Sequence, residues 1–335
     1  MTDHPPTDES RSIEGPAWDS PHLLVIIVNF RTPDLVIQCL ESLVDEIPTV
    51  SGTRVVVVEN GSGDGSDQRI REAIDQRAWG DWARVLPLEQ NLGFAGGNNR
   101  GWELAPSADY ALLLNSDTIV HPGCLAHCMK TLKDDASIGA MSCLVKNADG
   151  SPQNVSRTFP TPLRLVVRSL GLPWRLPRLF GWADTDDLTW DRETVCRDVD
   201  WLGGAFLFIR GDLIRNIGLL DEDFFFYGED IEFSHRVWKA GYRCYYQATP
   251  GSITHLGGAS STKGANVSNE NLTRRFRARY LVQRKCYGLA AQGFLRCWDL
   301  ALWFCRAVGR KWLRGAEDPS ALEARQVCSV LRGSL

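Results

Sequence analysis

Hydrophobic and polar positions along this chain fall into blocks, and the blocks differ in period. Residues 1–21 are polar and rich in Pro, Asp and Ser. Such a composition cannot bury enough apolar surface to order itself, so this stretch is predicted to be a disordered lead. Leu23 to Val28 then forms an unbroken apolar run, the pattern of a strand covered on both faces. Pro33 opens a helix with Leu35, Val36, Cys39, Leu40 and Leu43 on one face. Arg54 to Val58 is a second buried strand, Val85 to Leu88 a third, and Ala111 to Leu114 a fourth. Strands alternating with helical stretches imply βαβ units, hence an α/β fold with a Rossmann-like, mostly parallel sheet flanked by helices.

The rhythm blurs between residues 150 and 200. Pro160, Pro162, Pro173 and Pro177, interleaved with Trp174, Trp182 and Trp190, predict a loop-rich insertion lying over the sheet. Trp201 to Arg210 resumes strand character, and Asp230 to Gly241 reads as a helix stopped by glycine. Beyond residue 271 the chain becomes helical and basic. Between Leu272 and Arg314 there are eleven Lys or Arg residues against one acid, Asp299, although the whole chain carries a net charge of -4. Phe294, Leu295, Trp298, Leu302, Trp303, Phe304 and Trp312 share that stretch. Basic, amphipathic and aromatic, it suits the plane of an anionic membrane surface. A helical subdomain packed on the core with a solvated basic face is the other reading, and the two are compatible.

Composition narrows the class. At 335 residues there is room for one large domain or two modest ones. Hydrophobic residues at 44% and charged residues at 23% are ordinary for a globular protein. A net charge of -4 argues against generic nucleic-acid binding. The ten cysteines are scattered without a CxxC pair, and the N-terminus has no basic-then-apolar signal. Free, mostly buried thiols in a reducing cytoplasm are the expectation. His121, Cys124, His127 and Cys128 fit one helix surface, whereas zinc draws its ligands from distinct turns or loops. No apolar run reaches the ~18 residues needed to cross a bilayer.

The polar clusters fall where predicted strands end, the position at which open α/β sheets bind ligands. Asp117 follows the apolar run Tyr110 to Leu114. It either caps a helix started by Pro122 or serves as a ligand. Glu229, Asp230 and Glu232 crowd a helix start, which the helix dipole favours in any case. Phe224 to Tyr227 immediately upstream places these acids beside an apolar wall, which raises carboxylate pKa values. The segment Asn91 to Asn99 lacks the GxGxxG spacing of a dinucleotide site. Its glycines among asparagines still permit close backbone approach to a ligand, or simply make a turn before a helix.

In order, the motifs are Val28-Asn29-Phe30, Val58-Glu59-Asn60-Gly61-Ser62, Asn91-Leu92-Gly93-Phe94-Ala95-Gly96-Gly97-Asn98, Leu114-Asn115-Ser116-Asp117, Gly203-Gly204-Ala205, Gly228-Glu229-Asp230 and His255-Leu256-Gly257-Gly258. Together they resemble the family 2 glycosyltransferases, closest to the bacterial rhamnosyltransferase-like branch, over residues 23–290. The resemblance implies a GT-A fold with a C-terminal basic helical extension. Residues 22–270 would be the catalytic domain (22–120 the nucleotide-sugar half, 121–270 the acceptor half), and residues 271–335 the basic amphipathic region.

The same resemblance implies an inverting enzyme of cell-surface polysaccharide synthesis. It would move a sugar, rhamnose by likeness, from a dTDP- or UDP-linked donor to a saccharide or lipid-linked acceptor, at the cytoplasmic face of the plasma membrane. A divalent cation, Mg2+ or Mn2+, would sit on Asp117 and His255. Asp230 matches the base, with Glu229 beside it. Asn29, Glu59, Asn91, Gly93, Phe94, Asn98, Asn115 and Ser116 match donor positions, and Trp201, Gly203 and Gly204 the region where donor and acceptor sugars meet. The chain departs from the family pattern at Asn115, where the DXD-type motif has its first acid. It departs again at Glu59, one methylene longer than the usual acid. Two other readings stay open. A nucleotidyltransferase would carry a glycine-rich basic loop after the first strand, where this chain has Val28-Asn29-Phe30-Arg31. A catalytically silent nucleotide-sugar scaffold would lack the Glu229-Asp230 pair.

Overall fold

The computed structural model describes residue 18 and residues 20–257, 269–314 and 318–333. A run of apolar residues with no polar face must be covered on both sides, and β1 (Leu23–Asn29) accordingly lies inside a sheet. Helix α1 (Pro33–Leu43) leads to β2 (Thr53–Asn60), α2 (Ser66–Gln76) to β3 (Ala83–Leu88), and α3 (Gly93–Glu103) to β4 (Tyr110–Asn115). These four strands are parallel in the order β3-β2-β1-β4. The predicted βαβ half is present.

From β4 the chain continues through β5 (Thr118–Val120), α4 (Cys124–Asp134), β6 (Ile138–Ser142), β7 (Leu144–Lys146) and β8 (Ser156–Arg157). Three short helices, α5 (Pro162–Ser169), α6 (Leu172–Arg175) and α7 (Pro177–Phe180), occupy the proline-rich stretch. Then come β9 (Arg197–Val199), β10 (Trp201–Leu202), β11 (Phe206–Arg210), α8 (Gly211–Ile217), α9 (Glu229–Lys239), β12 (Arg243–Tyr246) and β13 (Ser252–His255). The main sheet has eight strands in the order β3-β2-β1-β4-β11-β6-β12-β9, with β11 antiparallel to β4. Two smaller sheets, β5-β13-β7 and β10-β8, stand beside it.

Three expectations change. The strand expected from Trp201 to Arg210 is two strands, because Gly203 to Ala205 leave the ladder and β10 pairs with β8 instead. Asp117 is not a helix cap: β5 intervenes, and α4 starts only at Cys124. Glu46 does the capping. Its carboxylate accepts the Gly123 N–H at 2.5 Å and the Leu125 N–H at 2.8 Å, where an anion both fills orphan donors and meets the positive end of the helix. Lastly, residues 1–17 and 19 lie outside the described residues, but Pro21 is buried and Trp18 packs on the core under the Arg84 guanidinium. A single indole has enough apolar area to tether a polar segment.

The C-terminal region is helical as expected, with α10 (Asn269–Tyr287), α11 (Leu289–Arg314) and α12 (Pro319–Gly333). Phe276, Tyr280, Leu295, Val327, Val330 and Leu331 give it a small core of its own. Val282 and Cys286 of α10 pack against Phe224, and Gln283 donates to the Pro160 carbonyl at 2.7 Å. Asp299 is buried, accepting from the Tyr280 hydroxyl at 3.0 Å and pairing with Arg279 at 3.3 Å. A buried charge needs such partners. The outward side of α11 is apolar instead: Phe294, Cys297, Ala301, Phe304, Cys305, Val308 and Trp312 are all exposed, at spacings of three or four residues wherever they are not adjacent.

Glu46→Ala will strand two buried N–H groups, so it should lower stability by about 1–3 kcal/mol without changing the fold. A shift of the urea midpoint at unchanged slope is the measurement; no shift would show that water replaces the carboxylate.

Candidate active site

Strands β1, β2 and β4 are parallel, so their final residues share one edge of the sheet. Asn29 ends β1, and its amide oxygen accepts from the Thr32 N–H and hydroxyl at 3.2 Å each, which fixes the entry to α1. The Asn29 amide nitrogen is buried without a protein partner. Thr32 in turn lies 3.4 Å from the hydroxyl of Ser116, joining the ends of β1 and β4. Glu59 is buried and accepts the Ser62 N–H at 3.0 Å, so its carboxylate shapes the turn after β2.

The neighbouring Asn60 organises the glycine-rich segment. Its amide donates to the Asn91 side chain at 3.1 Å and the Gly93 carbonyl at 2.9 Å, and accepts the Leu92 N–H at 3.0 Å. Asn91 accepts the Gly93 N–H at 2.8 Å, and the buried Asn98 donates to the Phe94 carbonyl at 2.8 Å. Gly93 has a φ of 76°, and a side chain there would meet the Phe225 carbonyl oxygen at 2.3 Å. That crowding comes from a contact between halves, since the Phe94 N–H donates to the same Phe225 oxygen at 3.1 Å. Gly204 is less tightly held, as a β-carbon would lie 3.1 Å from the Phe94 ring. Phe94 thus joins the glycine-rich segment after β3 to the Gly203–Gly204 turn.

Asp117 and His255 are brought together by strand register. Thr118 of β5 pairs with His255 of β13, leaving Asp117 Oδ1 3.0 Å from His255 Nε2. Asn115 Nδ2 is 3.3 Å from the same nitrogen. On the far side of the ring, Nδ1 faces the Gln153 Oε1 at 2.8 Å. An amide oxygen only accepts, so Nδ1 carries the proton and Nε2 is left to face a carboxylate. That contact is satisfied by a proton on Nε2 or by a cation between the two groups, and it fits a divalent ion. Among the described residues no group of three or more His, Cys, Asp or Glu could hold a metal by itself. An ion here would complete its shell with phosphate oxygens and water, as Mg2+ commonly does. The other candidate cluster dissolves: His121 bonds the Thr254 hydroxyl at 2.9 Å, His127 the Gly123 carbonyl at 2.6 Å, and Cys124 and Cys128 are buried. All ten cysteines are free, seven of them buried.

Glu229 and Asp230 open α9 after Gly228, which has a φ of 97° and is packed against Phe224 and Val282. The apolar wall expected here is only partly formed. Phe224 is buried, while Phe225 and Tyr227 are 51% and 46% exposed. Burial nevertheless pushes the Asp230 carboxyl up to about 6, restrained by the Ile231 and Gly204 N–H groups and by the charge of Arg157. The Ile231 N–H lies 2.8 Å from its Oδ1. Burial and the Asp230 charge push Glu229 further, to about 8, and its Oε2 has no protein partner. At neutral pH Asp230 is therefore mostly ionised and Glu229 mostly protonated. Glu232 plays another part, bonded through both oxygens to Arg236 at 2.9 Å.

Trp201, Gly203 and Gly204 run past this helix start. The Trp201 indole N–H donates to the Thr158 carbonyl at 3.1 Å, the Gly203 N–H to the Val155 carbonyl at 2.6 Å, and the Leu202 N–H to the Ser234 hydroxyl at 3.3 Å. Sequence reasoning passed over Asn60, Gln153 and Arg157 as site residues. Asn60 stood in a quoted motif; the other two lie in the stretch without periodicity, where nothing local distinguishes them.

With this sheet and these polar groups gathered beyond its strand ends, the protein is a glycosyltransferase of the GT-A fold, as its likeness to known proteins shows. Solved structures with the same fold include GalNAc-T7 with UDP, GalNAc and Mn2+ (TM-score 0.56, 14% identity, 93% of this chain and 55% of that one). Another is a mannosyltransferase from Pyrobaculum calidifontis with GDP-Man and Mn2+ (TM-score 0.54, 15% identity, 96% and 89%). The model of glycosyl transferase family 2 matches residues 24–190, and that of a glycosyltransferase (GlcNAc) family matches residues 182–296. The N-acetylglucosaminyl-diphospho-decaprenol L-rhamnosyltransferase of Mycobacterium tuberculosis is 28% identical over 70% of this chain and 76% of its own length. A rhamnosyltransferase of Escherichia coli K12 is 30% identical over 41% and 49%. The chain belongs to glycosyltransferase family 2 and is rhamnosyltransferase-like.

With Asp230 raised to about 6, turnover should fall as pH drops through that value, because protonation removes the base. A pH–rate profile of kcat/KM that stays flat down to pH ~4, near the ordinary carboxylate value, would contradict the burial of this group.

Proposed function

We propose that the protein is an inverting glycosyltransferase that moves a sugar, with rhamnose the first candidate, from a dTDP- or UDP-linked donor to a hydroxyl of a lipid-linked saccharide. The observation that carries this reading is the pairing of Asp117 with His255 by strand register, alongside a second acidic pair, Asp230 with Glu229, raised by burial at the head of α9. Asp230 takes the acceptor proton as the hydroxyl attacks the anomeric carbon, and the nucleoside diphosphate leaves from the opposite face. A positioned base contributes roughly 10²–10⁴-fold. A divalent cation, Mg2+ or Mn2+, on Asp117 and His255 supplies charge neutralisation of the leaving diphosphate. Asn29, Glu59, Asn91, Gly93, Phe94, Asn98, Asn115 and Ser116 form the donor side, several of them by holding the loop rather than by touching the ligand. Trp201, Gly203 and Gly204 border the acceptor.

In this reading residues 22–270 are the catalytic domain, with a donor half to residue 120 and an acceptor half after it, and residues 271–335 are the appended helical region. The tuberculosis relative is named for a sugar-diphospho-lipid acceptor and an L-rhamnosyl donor group, which supports both assignments. On this reading the work belongs to cell-surface polysaccharide synthesis at the cytoplasmic face of the membrane. No described helix is long and apolar enough to cross a membrane. The exposed apolar side of α11, with Lys311, Arg325 and Arg332 at the groove beside Phe304 and Val308, suits peripheral contact with an anionic surface.

Asp230→Asn should abolish turnover while sparing donor binding; loss of donor binding would reassign Asp230 to the cation. Asp117→Ala should remove the Mn2+ dependence of nucleotide binding, and wild-type affinity in that variant would sink the metal assignment. Release of free nucleoside diphosphate from the donor separates the enzyme from a silent scaffold. Phe304→Asp with Trp312→Asp should reduce co-sedimentation with anionic vesicles at low salt. A wild-type protein that stays in the supernatant would remove the membrane contact.

A further inference from the structure

Arg157 stands apart from the other arginines of the insertion. Arg168 pairs with Asp186 and also lies 3.7 Å from Asp184, and Arg192 is spent on the Asn154 side chain and the Asp186 and Asp187 carbonyls. Arg157 reaches Asp186 only at 3.5 Å, sharing a carboxylate that already belongs to Arg168. Its Nε is buried without a hydrogen-bond partner, yet 39% of the side chain is exposed. The guanidinium lies over the Trp201 ring, 5.5 Å from its centre. One part of this cation is fixed against an aromatic face, and its remaining N–H groups are left for something else.

Its place in the fold says where that something lies. Arg157 pairs directly with Trp201 across the β8–β10 ribbon. Three residues further on, the Gly204 N–H reaches the Asp230 carboxylate, whose pKa the Arg157 charge holds down. Gln153, four residues before Arg157 in the chain, meets His255 Nδ1 at 2.8 Å. With Trp201 leading on to Gly204, Arg157 is brought beside the Asp230 carboxyl. In a single displacement the leaving diphosphate and the acceptor lie on opposite sides of the anomeric carbon. Arg157 is at the acceptor end.

We propose that Arg157, braced on Trp201, binds the phosphate oxygens of a diphosphate-bearing acceptor. The proposal rests on the lipid-linked acceptor reading and deepens it: the group recognised is the diphosphate joining the acceptor sugar to its lipid. A planar guanidinium with free N–H groups grips phosphate in two places, which an ammonium cannot do. Trp201 beneath it offers the adjoining sugar a ring face. The donor also carries a diphosphate, so the experiment must tell the two sources apart.

The test measures KM for two acceptors carrying the same sugar, one on a short-chain lipid diphosphate and one as a neutral alkyl glycoside. It also measures the dissociation constant for the nucleoside diphosphate. Arg157→Ala should raise KM for the diphosphate acceptor by roughly ten- to a hundredfold, the loss expected for a charge-assisted hydrogen bond. KM for the glycoside and nucleotide affinity should stay at wild-type values, while kcat falls alike for both acceptors because the Arg157 charge beside Asp230 is lost. Arg157→Lys, which keeps the charge and the packing stem, should recover part of the loss. Equal KM changes for both acceptors would make Arg157 a structural residue, and weakened nucleotide binding would move it to the donor diphosphate; either overturns the proposal. If the wild type itself does not favour the diphosphate acceptor, the acceptor reading fails first, and that outcome is visible without any variant.

Discussion

A strand of seven residues with almost nothing but apolar side chains has to be sealed above, below and on both edges. That requirement on Leu23–Asn29 governs the rest of the molecule. It places β2 and β4 alongside as parallel partners and helices over the faces, so hydrogen-bonding side chains are expelled to the strand ends. Asn29, Glu59, Asn60 and Asn115 are the residues at which burial of the apolar runs gives out. The ligand edge of the sheet is thus a consequence of how its interior is closed, as in other open α/β sheets.

The antiparallel pairing of β11 with β4 brings a second set of groups to the same edge. Phe208 opposes Leu112, and Phe206 opposes Leu114, so the strand that follows the Gly203–Gly204 break is locked beside the strand that ends in Asn115. The glycine break would lose its purpose if this register slipped by one residue, because every side chain would change face. Register also joins Asp117 to His255, which come from strands far apart in sequence. The Asp117–His255 pair is therefore set by strand pairing between distant parts of the chain, not by local motif geometry.

How much of this could be read from the sequence follows from the range of each interaction. Continuous apolar runs and a Pro33 helix start are local signals, and β1 to β4 with their helices appear where those signals lie. Asp230 and Asp117 stood in motifs. Glu46 as the cap of α4, by contrast, acts across 77 residues. Gln153 acts on His255 across 102 residues, with no periodicity around either. The extra strand β5 was hidden because three residues are too few to show an alternation, and its pairing with β13 is what excludes Asp117 from capping. The apolar wall was half right for the same reason: four successive aromatics cannot all face one way, so Phe224 is buried and Phe225 is not.

The two carboxyls at the head of α9 show why proximity in sequence does not mean equivalence in chemistry. Both are raised by burial, but Asp230 has the Ile231 and Gly204 N–H groups and the Arg157 charge to stabilise its anion, whereas Glu229 has an unpartnered oxygen and a charged neighbour. Like charges this close ionise in succession, and the better-solvated member goes first. Asp230 is then the anion at neutral pH, held first by the Ile231 N–H of its own helix and further by the Arg157 charge and the Gly204 N–H that the β8–β10 ribbon brings up. The ribbon exists because Gly203 and Gly204 let the chain leave the main sheet. Gly204 can approach only because it lacks a β-carbon against Phe94, the residue whose N–H ties the donor loop to the Phe225 carbonyl. One packed contact around Phe94 thereby joins the glycine-rich loop after β3 to the surroundings of the Asp230 carboxyl.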